Sequence, residues 1–138
     1  MLGVVIVAHG GFAREMKRIV EHLTGPQPDI LCVAIEPNDS IEIKRQELAD
    51  KVIQANQGEG VIIATDMYGG TPSNLALSLM TQGNIEVISG INIPAMVKLV
   101  RERHRAVSEA AHIAIEAGCR YMTVATDVDI QTKGGFNG

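Results

Sequence analysis

The stretch V-I-V-A-H-G-G-F, Val5 to Phe12, carries an apolar run straight into a histidine and two glycines. The run starts at Leu2 and is continuous through Val7, without the polar alternation of a half-exposed strand. That is how a strand covered on both faces reads. Three similar runs follow: Ile30 to Ile35, Val61 to Thr65 and Ile85 to Ser89. Helical stripes separate them. Phe12, Met16, Ile19, Val20 and Leu23 share one, and Ile41, Leu48, Val52 and Ala55 share the next. Asp39 or Ser40 is placed to cap the second helix, and Thr71 with Pro72 to open a third. Leu75, Leu79 and Met80 supply its apolar side. Pro94 stands near the start of a fourth helix, and Ser108 to Ala117 forms a fifth. Strands alternating with helices predict an α/β fold. The expected form is a small, doubly wound, open and mainly parallel sheet in the order 2-1-3-4.

The bulk properties agree with one domain. The chain has 138 residues, 46% hydrophobic and 20% charged, with aromatics at only 3%. Its core must therefore be aliphatic. A net charge of −4 gives no footprint for nucleic acid. The basic cluster K-L-V-R-E-R-H-R, Lys98 to Arg105, reads as a solvated helix face. No apolar run approaches a membrane span, and the opening lacks the basic region of a signal peptide, so a cytoplasmic protein is expected. Cys32 and Cys119 have no paired spacing, and Cys32 reads as a small core residue. Tyr121 to Ala125 is a candidate last strand. Residues 1–125 are expected to form the domain and 126–138 a loose tail.

In open α/β sheets the ligand crevice lies beyond the carboxyl ends of the strands, where the strand order reverses. With strands one and three as neighbours, His9 and Asp66 come side by side. A carboxylate accepts a hydrogen bond from one ring N–H and fixes the tautomer. The other nitrogen, Nε2 in the pairing expected here, then presents a lone pair, which is a nucleophile. Gly10 and Gly11 open helix one, and Gly69 and Gly70 precede helix three. Glycines let main-chain N–H groups approach a ligand, and helix starts favour anions. Thr71 adds a hydroxyl. The set predicts a nucleophilic histidine in an anion cradle, hence phosphohistidine chemistry.

Each residue has an ordinary reading by itself. His9 and Asp66 serve as strand-end turn residues elsewhere, and Gly, Thr and Pro are common loop and cap residues. Their convergence on one crevice is what favours chemistry. His22, His104 and His112 lie in helical patterns and lack metal spacing, so no metal is expected. There is no G-x-S-x-G elbow, no Walker A lysine and no G-x-G-x-x-G after strand one, so no nucleotide cofactor is expected.

Three motifs, V-A-H-G-G-F-A (Val7 to Ala13), D-M-Y-G-G-T-P-S-N (Asp66 to Asn74) and G-I-N-I-P (Gly90 to Pro94), resemble a known family. It is the IIA domain of the mannose/fructose-type family of the bacterial phosphoenolpyruvate-dependent sugar phosphotransferase system. The likeness runs from about Leu2 to Ala125. It implies that His9 is phosphorylated by the phosphocarrier protein HPr and passes the group to a IIB partner. It implies that Asp66 orients His9 and that Thr71 lies by the phosphate. It also implies a homodimer that exchanges a C-terminal strand, here Tyr121 to Ala125. Tyr68 and Thr71 stand where some relatives carry Trp and Ser, and Ala95 where a Met is often found.

The leading expectation is thus a phosphotransferase component in which His9 is the nucleophile. Main-chain amides near Gly10, Gly11, Gly70 and Thr71 would hold the phosphoryl oxygens. Many relatives continue into a IIB domain, so a separate IIB protein and a membrane permease are the expected downstream partners. The alternatives are a stand-alone regulatory phospho-switch, a IIA-like component for a dihydroxyacetone kinase, and an anion binder with no covalent step.

Overall fold

The computed structural model describes residues 1–128. Four strands, β1 (Gly3–His9), β2 (Leu31–Ile35), β3 (Val61–Thr65) and β4 (Ile85–Ser89), form one sheet in the order β2-β1-β3-β4. Every pairing is parallel. Five helices connect and follow them: α1 (Phe12–Thr24), α2 (Ile41–Ala55), α3 (Thr71–Leu77), α4 (Ile93–Arg101) and α5 (Val107–Arg120). The expected architecture and strand order are those observed.

The two faces of the sheet follow from the period of two along each strand. Val4, Ile6 and Ala8 of β1 pack with Ala13, Met16 and Val20 of α1 and with Met96, Leu99 and Ala110 from α4 and α5. Val5 and Val7 turn the other way, onto Leu48 and Val52 of α2 and Leu75 and Ala76 of α3. Val4 to Ala8 are fully buried, each with no exposed area. Complete burial of one Val or Ile side chain contributes about 1.5–3 kcal/mol. β1 is thus the spine of both cores.

Several details differ from the reading of the sequence. β1 continues to His9 because it pairs with Ile35 of β2, which an apolar-run reading misses. Phe12 and Leu23 are exposed at 37% and 52%, since α1 buries the narrower stripe of Ala13, Met16 and Val20. Ser40 is the cap of α2, accepting from the Ile43 N–H, while Asp39 accepts from Glu36 N–H in the turn before it. Gly70 caps α3, and Thr71 is its first helical residue.

Tyr121 to Ala125 forms no strand in the single chain. Tyr121 closes α5 through its N–H to the Ala117 carbonyl, and Ala125–Asp127 is a 3₁₀ turn. Tyr121 and Met122 lie beside Phe12, Ile91 and Ile93, away from the β4 edge to which a strand would have to pair. Of the tail expected from residue 126, everything after residue 128 lies outside the described residues.

The basic cluster holds the largest correction. Arg103 is 2% exposed. Its guanidinium donates to both carboxylate oxygens of Asp29, at 3.1 and 2.7 Å, and to the Leu2 carbonyl at 2.8 Å. The Leu2 N–H in turn donates to the Arg103 carbonyl. One side chain so joins the turn after α4, the start of β1 and the approach to β2, at the end of the sheet opposite His9.

The Arg103 guanidinium beside Asp29 holds that carboxyl below the usual aspartate range, against the opposing effect of burial. The folded-state pKa is therefore the lower one. The stabilisation is complete above about pH 4 and fades as pH falls through the lowered value. Asp29→Asn is expected to cost about 2 kcal/mol near neutral pH. That is less than the ~3–5 kcal/mol of a fully buried pair, because the Asp29 side chain is 37% exposed and partly screened. Urea unfolding at about pH 7 and about pH 3 checks it: the gap between parent and variant must shrink in acid.

Candidate functional site

The register of the sheet builds the site. Val7 pairs with Thr65 across β1 and β3, so the residues just beyond arrive together. β3 stops there, and Asp66 leaves the ladder and turns its carboxylate onto His9. Asp66 Oδ2 accepts two hydrogen bonds, from the His9 main-chain N–H at 3.0 Å and from ring Nδ1 at 2.9 Å. The main-chain bond was not foreseen from the sequence, since it depends on how far β1 outruns β3. Asp66 Oδ1 is buried without a donor among the described residues. The hydrogen bonding of this carboxylate therefore rests on Oδ2 and on His9.

A carboxylate only accepts, so Nδ1 carries the proton of the neutral ring and Nε2 keeps its lone pair. The ring is half exposed, and the Asp66 side chain is 15% exposed. His9 shares the parity of Val5 and Val7, which places it on the sheet face covered by α2 and α3. There its ring meets Gly70. A Cβ added at Gly70 would stand 3.0 Å from His9 Cε1 and 3.5 Å from Nε2. Glycine here relieves crowding of the ring and answers no conformational need: its φ of −85° and ψ of 175° suit any residue.

Gly10 serves the other purpose. Its φ is +54°, a left-handed value that a side chain disfavours, and it turns the chain from β1 into α1. Its N–H is engaged by the Ile35 carbonyl at 2.9 Å. Gly11 caps α1 and Gly70 caps α3, and neither helix start has a side-chain cap bond. By contrast, α2 and α4 are capped by Ser40 and Asn92. The α1 and α3 starts thus leave first-turn N–H groups unpaired by side chains. Thr71, half-buried, follows Gly70 directly.

The surroundings are apolar. Met67 and Tyr68 are 56% and 75% exposed in the loop before Gly69. Phe12, Ile91, Ile93, Pro94 and Met122 line a depression of about 570 Å³ at the start of α1. The G-I-N-I-P motif packs here for local reasons. The Ile91 N–H donates to the Thr65 carbonyl, and the Thr65 and Ser89 hydroxyls are 3.1 Å apart. Asn92 caps α4 through the Ala95 N–H and also donates to the Gly118 carbonyl at the end of α5. These bonds hold the loop after β4 against the residue that precedes Asp66. Among the described residues no three His, Cys, Asp or Glu side chains meet as a metal would require. His22, His104 and His112 are exposed, and His112 lines a depression it shares with Tyr68 and Ser89.

The tautomer is directly measurable. Nitrogen-detected NMR of the neutral ring, at about pH 8.5, is expected to find the Nδ1–H form of His9 dominant. In Asp66→Ala the Nε2–H form must rise. An unchanged tautomer ratio would show that Asp66 does not hold the ring.

Comparison with known proteins identifies the family and the fold. The sequence profile for PTS system fructose IIA components matches residues 3–116. The sorbose-specific EIIA component of Klebsiella pneumoniae is 31% identical over 105 residues, which is 75% of this chain and 76% of that protein. The mannose-specific EIIAB component of Escherichia coli K12 is 27% identical over 120 residues, 85% of this chain. This chain spans only 37% of that longer relative. In three dimensions the EIIA component from Streptococcus agalactiae superposes with a TM-score of 0.84 at 24% identity, over 93% of this chain and all of that one. It has the same fold. The chain belongs to the fructose/mannose-type IIA components of the phosphotransferase system.

Proposed function

We propose that this protein carries a phosphoryl group on Nε2 of His9, taking it from phosphorylated HPr and passing it to a IIB component. The observation that supports this most is the Asp66 Oδ2 bond to ring Nδ1 at 2.9 Å, with the Cε1 and Nε2 edge of the ring lying where a Cβ at Gly70 would crowd it. In the forward step the Nε2 lone pair attacks phosphorus in line. The new P–N bond forms as the donor's P–N bond breaks, and that electron pair returns to the donor imidazole. His9 gains positive charge as it is substituted, and Asp66 Oδ2, hydrogen-bonded to Nδ1–H, stabilises it. The unpaired N–H groups around Gly11, Gly70 and Thr71 are the donors for the three phosphoryl oxygens, while Gly10 shapes the turn. Catalysis of this kind is positioning and charge stabilisation. No metal or nucleotide enters it. The exposed Phe12, Met67 and Tyr68 form an apolar rim on which a protein partner docks.

The proposed site of action is the cytoplasm, with a permease in the membrane as the further partner. No helix among the described residues is long and apolar enough to cross a membrane itself. A homodimer that exchanges Tyr121 to Ala125 fits the open outer edge of β4. Val87, Ile88 and Ser89, with Leu77, Ala111 and Ile115, line a shallow depression of about 400 Å³ there.

With phosphoenolpyruvate, enzyme I and HPr, the parent is expected to gain one acid-labile phosphoryl group, and His9→Ala none. A His9→Ala chain labelled like the parent would reject the assignment. Gly70→Ala should keep its melting temperature, since its backbone accepts a Cβ, yet be phosphorylated roughly tenfold or more slowly because the ring is displaced. For the dimer, sedimentation of the parent should give two chains and of a variant ending at Arg120 one. A monomeric parent would exclude the exchange.

A further inference from the structure

β2 is an outer strand, and its free edge lies in a groove. The Gly10 N–H bonds to the Ile35 carbonyl while His9 is paired with Ile35, so Ile35 turns its peptide groups towards β1. Alternate residues of a parallel strand bond to the same side. Leu31, Val33 and Ile35 therefore face β1, and Cys32 and Ala34 present their N–H and C=O groups outward. Neither has a main-chain partner on that side among the described residues.

The walls of this groove, of about 520 Å³, are unusual in charge for a chain of net −4. Arg14 and Lys17 come from α1, and Lys44 and Lys51 from α2. Lys44 is paired with Glu47 at 3.0 Å. Arg14, Lys17 and Lys51 have no carboxylate partner among the described residues, and Lys17 and Lys51 are half-buried. Glu36 and Glu47 line the same groove, so its four cations outnumber its carboxylates by two, and the surplus at Arg14, Lys17 and Lys51 favours an anionic occupant. Donors and acceptors repeating along a strand favour one with a peptide backbone.

We propose that the β2 edge docks an extended acidic segment of a partner protein, which adds as a strand beside β2 with its carboxylates facing Arg14, Lys17 and Lys51. A second copy of this chain is a poorer occupant, because the same three cations would oppose each other across the two-fold axis. Nor are these cations the usual guard against edge pairing, which sits on the strand itself. Leu31–Ile35 contains no charged residue. The groove reaches Gly10 and Gly11, so the docked strand lies next to the His9 turn without occupying it.

The test is a titration of the isotope-labelled full chain with an acetylated, amidated peptide of repeating Glu-Glu-Val-Val, which puts carboxylates on both faces of an added strand. Amide signals of Cys32 and Ala34 should shift, and affinity should fall with added salt. Lys17→Gln and Lys51→Gln should each weaken binding about two- to five-fold. A peptide N-methylated in the strand register facing β2 should not bind, while one methylated in the other register should. Equal binding of the same peptide with Lys in place of every Glu, indifference to N-methylation, or no shift at millimolar peptide would overturn the proposal. So would self-association of the lysine variants with no peptide binding by the parent, which would make the lysines a guard after all.

Discussion

The parallel pairing of β1 with β3 governs everything at the functional end of this molecule. Val7 opposite Thr65 decides that Asp66 emerges one residue short of His9, and the two-residue overrun of β1 decides that the carboxylate reaches both the main chain and the ring. A slip of one residue would reverse which sheet face each side chain takes. The aliphatic burial of Val4 to Ala8 against helices on both sides is what forbids that slip. Packing energy in the middle of β1 is thus what holds an imidazole at its tip to within a hydrogen bond.

The same sheet separates stability from chemistry by its two ends. At the amino end, a buried Arg103 and a partly exposed Asp29 tie the turn after α4 to the start of β1, with no view of the crevice. At the carboxyl end the polar groups are left less complete. The α1 and α3 starts have glycine caps, and one Asp66 oxygen has no donor. Unfinished hydrogen bonding beside a half-exposed imidazole is what the proposed anion-handling role requires. The loop after β4 belongs to this end as support, through Ile91, Ser89 and Asn92 rather than through contact with the ring.

Some readings failed for reasons that are physical rather than statistical. Arg103 sits among Lys98, Arg101 and Arg105, and a run of charges reads as solvent-facing. Only the fold brings Asp29, 74 residues away, to meet it. Tyr121 to Ala125 pairs with no edge of its own chain, because α5 delivers it to the α1 side, and its expected part as an exchanged strand belongs to a dimer. The Thr71 cap moved by one residue because Gly70 has the extended backbone that a cap needs.

The sequence by itself determined the strands, their parallel arrangement and the meeting of His9 with Asp66 at the strand ends. Continuous apolar runs can only be buried on both faces, and helices between them enforce crossovers. β3 and β4 were legible to the residue for that reason. His9, Asp66 and the glycine pairs were legible as a set because strand order 2-1-3-4 makes neighbours of their loops. Tertiary structure alone decided which Asp66 oxygen serves both donors, that Gly70 relieves crowding at the ring, that the Gly10 N–H is already engaged, and that Cys32 and Ala34 open a strand edge among cations. Each of these depends on distances between segments far apart in the chain, and such distances arise only when the two cores close on the sheet.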